Sequence, residues 1–81
     1  MNSWSIIDKK LTKEFLFNDP GEVLIFVNAL ANLAIAYDQR PEIFVYSYNK
    51  VKIILFTKSV KSVTVKDYVL AFAIDRINRA A

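Results

Sequence analysis

The chain has 81 residues, 54% of them hydrophobic and 23% charged, a net charge of +3, and neither cysteine nor histidine. That composition excludes disulfides, thiolate and imidazole nucleophile schemes and the two commonest transition-metal ligands, so neither a metal nor another cofactor is expected. Acid–base work near neutrality would fall to a perturbed Asp, Glu or Lys.

One domain spanning residues 1–81 is all this length allows. A chain so short buries only about 60–65% of the surface its unfolded form exposes. With cross-links and metals excluded, the remaining way to hide so much apolar material is a second copy, as a dimer or tetramer. The basic residues are scattered among eight carboxylates with no run of five, the pattern of a solvated surface. The start, MNSWSIIDKK, lacks the basic and apolar regions of a signal peptide. Val23–Tyr37 is apolar but too short for a bilayer and is interrupted by Asn28 and Asn32. A cytoplasmic protein without membrane contact is expected.

Taken in order, Ser3–Ile7 is a short strand and Asp8–Lys10 a polar turn. Leu11–Phe17 alternates with the period of a half-buried strand. Asp19 is a natural N-cap, with Pro20 at the first helical position and Glu22 in the first turn. The helix runs to about Tyr37 and is apolar on nearly all sides, so a sheet should take one face and something else the other. Asp38-Gln39-Arg40-Pro41 follows as a polar knot, a loop or the wall of a site. Glu42–Tyr48 and Val51–Thr57 read as strands joined by a two-residue turn, Asn49-Lys50, with Asn at positive φ. That register places Phe44, Tyr46 and Tyr48 on one face with Val51, Ile53 and Leu55. Thr64–Asp67 has the form of a capping box with Asp in place of Glu. It opens a helix whose stripe is Leu70, Ala71, Ile74 and Ile77. The order β-β-α-β-β-α predicts an α+β two-layer sandwich, a four-stranded antiparallel sheet with two helices on one face.

The segments FLFND, then RP, YNKVKIILFTK and VTVKDYVLAFAID, with the helix ending 22 residues after Phe17, resemble the pterin-4a-carbinolamine dehydratase family from about Trp4 to Ile77. The resemblance implies the same fold and puts the active site at the polar knot. The family pattern of an acidic residue, three others and His-His-Pro falls on Ile35, Gln39, Arg40 and Pro41. Its strand-end Thr-His falls on Thr57-Lys58, and its Gly-Gly-Leu-Thr on Lys61-Ser62-Val63-Thr64. Asp67 matches the family's helix-start Asp. Every family histidine is replaced.

The family's reaction removes water from a 4a-hydroxytetrahydropterin, which needs one group to protonate the departing hydroxyl and another to take a ring proton. Three readings follow. The first is a homologue without dehydratase catalysis that acts as an oligomeric binding or dimerisation module. The family's animal protein also serves as a dimerisation cofactor for a homeodomain transcription activator, so a protein partner and a pterin ligand are both open. The second is an active or altered dehydratase using Lys58 with Asp38 or Asp67. The candidate pocket for either is Asp38, Gln39, Arg40, Pro41, Lys58 and Asp67. The third is nucleic-acid binding on the sheet, with Phe44, Tyr46 and Tyr48 stacking and Lys50 and Lys52 on phosphates; core packing is the competing role for those rings. Trp4 is expected to pack at the sheet edge.

Overall fold

In the computed structural model, which describes residues 3–80, Asp8 and Lys9 take φ of 52° and 62°. Positive φ at both central residues is the twist that lets a two-residue loop join right-twisted strands. The loop connects β1 (Ser5–Ile7) to β2 (Lys10–Leu16), with Ile7 opposite Lys10. Helix α1 (Pro20–Ala36) starts as its sequence dictates. Asp19 Oδ1 accepts the Glu22 N–H at 2.9 Å, and Glu22 Oε1 accepts the Asn18 N–H at 2.8 Å. These bonds occupy N–H groups that the helix and its approach leave without partners.

Strands β3 (Glu42–Tyr46) and β4 (Lys50–Leu55) and helix α2 (Val65–Ala80) complete the chain. The sheet is antiparallel throughout, in the order β1-β2-β4-β3, with the expected α+β sandwich architecture. β4 is central. Its Val51, Ile53 and Leu55 face the helices, opposite Phe15, Lys13 and Leu11 of β2.

The β3–β4 hairpin departs from the register expected of its sequence. Tyr46 pairs with Lys50 and Val45 with Val51, three residues away from the expected pairing of Tyr48 with Val51. An odd slip reverses faces. Ile43 and Val45 therefore share the side of Ile53 and Val51, while Phe44 and Tyr46 lie on the outer face with Lys52 and Lys50. The loop has three residues, and Ser47 and Tyr48, not Asn49, take positive φ. Asn49 is committed elsewhere. Its Nδ2 donates to the Phe17 carbonyl at 2.8 Å and its own carbonyl accepts the Phe17 N–H at 2.9 Å, clamping the hairpin to the end of β2. Core packing is thus not the role of Phe44 and Tyr46, and Tyr48 stands exposed in the turn.

Between the sheet and the helices lies one apolar cluster. It joins Leu11, Phe15, Val51, Ile53 and Leu55 to Val23, Phe26 and Leu30 of α1 and Leu70, Ala71 and Ile74 of α2. Phe26 touches both Phe15 and Phe17 with ring centroids 5.0 Å apart, a spacing at which tilted aromatic pairs add to plain burial. No described helix is long and apolar enough to cross a membrane.

One charge faces the helices from within the sheet. Lys13 Nζ meets Asp75 Oδ1 of α2 at 2.8 Å, and Trp4 Nε1 donates to the same carboxylate at 3.1 Å. The Lys13 ammonium also lies 4.8 Å from the Phe15 ring centre. Trp4 packs edge-on to Phe15 at 6.1 Å and so ties β1 to α2. Removing the carboxylate leaves a half-buried ammonium and an indole N–H without their partner. Asp75→Ala is therefore expected to cost about 1–3 kcal/mol. Denaturant melts followed by Trp4 emission would check this, because the single tryptophan reports on the same contact.

Candidate functional site

The polar knot after α1 is first a helix stop. Tyr37 caps the helix and Asp38 follows at φ 54°. The Gln39 N–H donates to the Ala34 carbonyl at 2.9 Å and the Asp38 N–H to the Ile35 carbonyl at 3.1 Å. This is the paired arrangement of a Schellman motif, with Asp in the left-handed position that Gly usually fills. The reversal turns residues 39–41 back across the end of the sandwich. Pro41 then fixes an extended approach into β3.

The second wall comes from the segment after β4. Thr57 and Ser62 form an isolated bridge, with the Thr57 N–H on the Ser62 carbonyl at 2.8 Å. Lys58, Ser59, Val60 and Lys61 make the tight loop between them, and Lys61 has φ 52°. The loop is anchored from below by Asp67, 1% exposed. Asp67 Oδ2 accepts the Thr57 hydroxyl at 2.9 Å and the Thr64 N–H at 2.8 Å, while the two threonine hydroxyls lie 2.8 Å apart. The capping box thus reaches beyond its own helix to the strand end.

These elements enclose a cleft of about 310 Å³ lined by Asp38, Gln39, Arg40, Phe56, Thr57, Lys58, Ser59 and Lys66. Of the residues proposed from the sequence, Asp38, Gln39, Arg40 and Lys58 meet in it. Pro41 and Asp67 are not part of its lining. Asp67 instead lies buried in the threonine network. Ile35, which the resemblance matches to an acidic residue, is 77% exposed and brings no charge. Phe56, Ser59 and Lys66 are additions that sequence reading missed. Lys66 immediately precedes Asp67 in the first turn of α2, where nothing in the sequence sets it apart from other exposed lysines. The Gln39 side-chain Nε2 is buried and, among the described residues, has no hydrogen-bond partner. A larger but shallower depression, about 580 Å³, lies on the outer sheet face along Phe44, Tyr46 and Lys52.

The sequence model for "Pterin 4 alpha carbinolamine dehydratase" matches residues 1–77. The chain belongs to the pterin-4a-carbinolamine dehydratase family. It is 37% identical over 79 residues to a relative from Hydrogenovibrio crunogenus, covering 95% of this chain and 69% of that one. It is 39% identical over 74 residues to one from Picosynechococcus, covering 91% and 79%. Both relatives carry the pterin-4-alpha-carbinolamine dehydratase name. Among solved structures, a transcriptional coactivator/pterin dehydratase from Brucella melitensis superposes with TM-score 0.84 at 32% identity, over 91% of this chain and 80% of that one. A pterin dehydratase-like protein identified as a RuBisCO assembly factor of the alpha-carboxysome shares the fold, with TM-score 0.72 at 22% identity over 93% and 86%. Within this family chain, the positions that the resemblance matches to the histidines hold Gln39, Arg40 and Lys58, and all three line the same cleft.

Proposed function

We propose that the chain is a family member without dehydratase catalysis that acts as an oligomeric binding or dimerisation module. The observation that carries this reading is the side-chain set of the cleft, where an amide, a guanidinium and an exposed ammonium stand at the histidine positions. An amide does not shuttle protons usefully, and a guanidinium cannot give one up in a protein. Asp67 is already committed to two donors in the threonine network. A weak or altered dehydratase remains the second reading, favoured by Lys58 and Asp38 sharing the cleft.

Following quinonoid dihydropterin formation from a 4a-hydroxytetrahydropterin between about pH 6 and 9 separates the two. The uncatalysed rate, even at high protein concentration, is the expected result. Clear acceleration would overturn the first reading and make Lys58 and Asp38 the residues to change.

The helical layer supports the oligomeric part. Tyr37, Val65, Tyr68, Val69 and Phe72 form a continuous exposed apolar patch, with Phe72 63% exposed. A patch of this kind on a small protein marks an interaction surface. Use of the scaffold for protein partners has precedent in the coactivator and the assembly factor that share the fold. Phe72→Glu removes no core contact, yet places a charge in a desolvated interface. It is expected to weaken self-association by about 100-fold or more. Sedimentation velocity across concentrations reads this directly, and an unchanged oligomer would move the interface elsewhere.

Nucleic-acid binding gains no comparable support. Of the three rings that reading would use for stacking, Phe44 has the chain's own Lys52 5.9 Å over it, and Tyr48 stands in the hairpin turn, away from the outer sheet face that carries Phe44 and Tyr46.

A further inference from the structure

We infer that the cleft at the end of β4 binds a phosphate-bearing small molecule. This rests on the proposal that the cleft no longer performs dehydration, and it concerns the class of ligand that replaces the pterin.

Arg40, Lys58 and Lys66 line the cleft against a single carboxylate, Asp38. Among the described residues the one ion pair is Lys13–Asp75, neither member of which lines the cleft. None of the three cations is neutralised by a neighbour, although they converge from the loop after α1, the loop after β4 and the first turn of α2. On a plain solvated surface both signs would be interspersed, because converging like charges repel. A phosphate monoester, with a charge of roughly −1.5 to −2 near neutral pH, matches the excess that remains after Asp38.

The second, independent observation is the Gln39 amide. Gln39 lines the same cleft, and its Nε2 is buried with no hydrogen-bond partner among the described residues. A buried donor left unmet is costly, and such groups in native proteins call for an acceptor. Rotation of the Gln39 side chain toward the cleft would let a ligand oxygen supply one. The guanidinium fork of Arg40 and the Ser59 hydroxyl add donors suited to a phosphoryl group. Phe56, with Lys10 over one face of its ring, borders the cleft, and about 310 Å³ limits whatever carries the phosphate to a small group.

The test is a titration of the full chain with phenyl phosphate, benzoate and phenol, read by amide NMR shifts and calorimetry. These probes keep one ring and change only the charged group. Phenyl phosphate is expected to shift the backbone amides of Gln39, Arg40 and Lys58 and the Gln39 side-chain amide. Benzoate is expected to bind about tenfold more weakly, and phenol not detectably. Arg40→Gln and Lys58→Gln should each weaken phenyl phosphate about tenfold, while Lys50→Gln, at the far end of β4, should leave it within about twofold. Benzoate binding as tightly as phenyl phosphate would overturn the phosphate assignment in favour of a carboxylate. Equal loss in all three variants would reduce the effect to net charge and overturn the site. No shift up to about 10 mM would overturn it as well. The dehydratase assay is separate, so turnover would sink the non-catalytic reading without deciding the titration.

Discussion

Asp67→Ala is expected to destabilise the fold by about 3 kcal/mol and to lower the melting temperature by roughly 12–20 °C. The carboxylate is buried and holds two donors from different elements, the Thr57 hydroxyl beyond β4 and the Thr64 N–H at the start of α2. Alanine strands both donors, and hydrogen bonds to charged groups contribute about 1.5–3 kcal/mol each. It also removes a negative charge from the first turn of α2, where the helix dipole favours one. Against the total of about 4–12 kcal/mol expected for a domain of this length, that loss is severe. The loop carrying Lys58 and Ser59 would loosen with it, so the cleft should degrade before the core melts. Chemical denaturation gives the energy, and hydrogen exchange at residues 57–62 gives the location. A loss below about 1 kcal/mol would mean the threonine network is not what holds the strand end to the helix. Asp67→Asn, which keeps an acceptor oxygen, should recover about half of the stability.

Restoring the family's side chains is expected to have the largest effect on chemistry. Ile35→Glu, Gln39→His, Arg40→His and Lys58→His together should raise dehydration of a 4a-hydroxytetrahydropterin about 100-fold or more above the parent chain. The backbone that would carry the histidines is already arranged. The Schellman turn directs residues 39 and 40, and the Thr57–Ser62 bridge directs residue 58, to one cleft. Two positioned imidazoles can supply the acid and the base that the amide and guanidinium cannot. A variant that folds, binds a reduced pterin and still shows only the uncatalysed rate would overturn the view that these side chains alone account for the proposed absence of catalysis. The parent chain with activity equal to the variant would overturn it from the other side.

Much of this was legible in the residues. Asp19-Pro20 and Thr64–Asp67 mark both helix starts because caps are local interactions, made within one turn. The alternation of Leu11, Lys13 and Phe15 shows a half-buried strand, though not that Lys13 would find Asp75 across 62 residues. The gathering of Gln39, Arg40 and Lys58 was legible only through the family resemblance, since no local pattern links a helix end to a strand end. Lys66 escaped because an exposed lysine in a first helical turn looks like any other. Asp67 was recognisable as a cap, but its burial and its bond to Thr57 depend on how β4 ends.

By itself, the sequence determined the order of elements, the helix caps, the antiparallel sandwich and the absence of any imidazole or thiol. All of these follow from local propensity, from the period of apolar residues or from composition. The register of β3 on β4 was decided by the tertiary structure. Both faces of β3 are apolar, so its own pattern fits either register equally well. The choice fell to β4, whose Val51, Ile53 and Leu55 must lie beneath the helices, and to Asn49, whose clamp on Phe17 takes it out of the turn's apex. The same holds for the cleft. Its charges are written in the chain, but their meeting with Gln39 in one cleft exists only once the end of α1, the end of β4 and the start of α2 pack together.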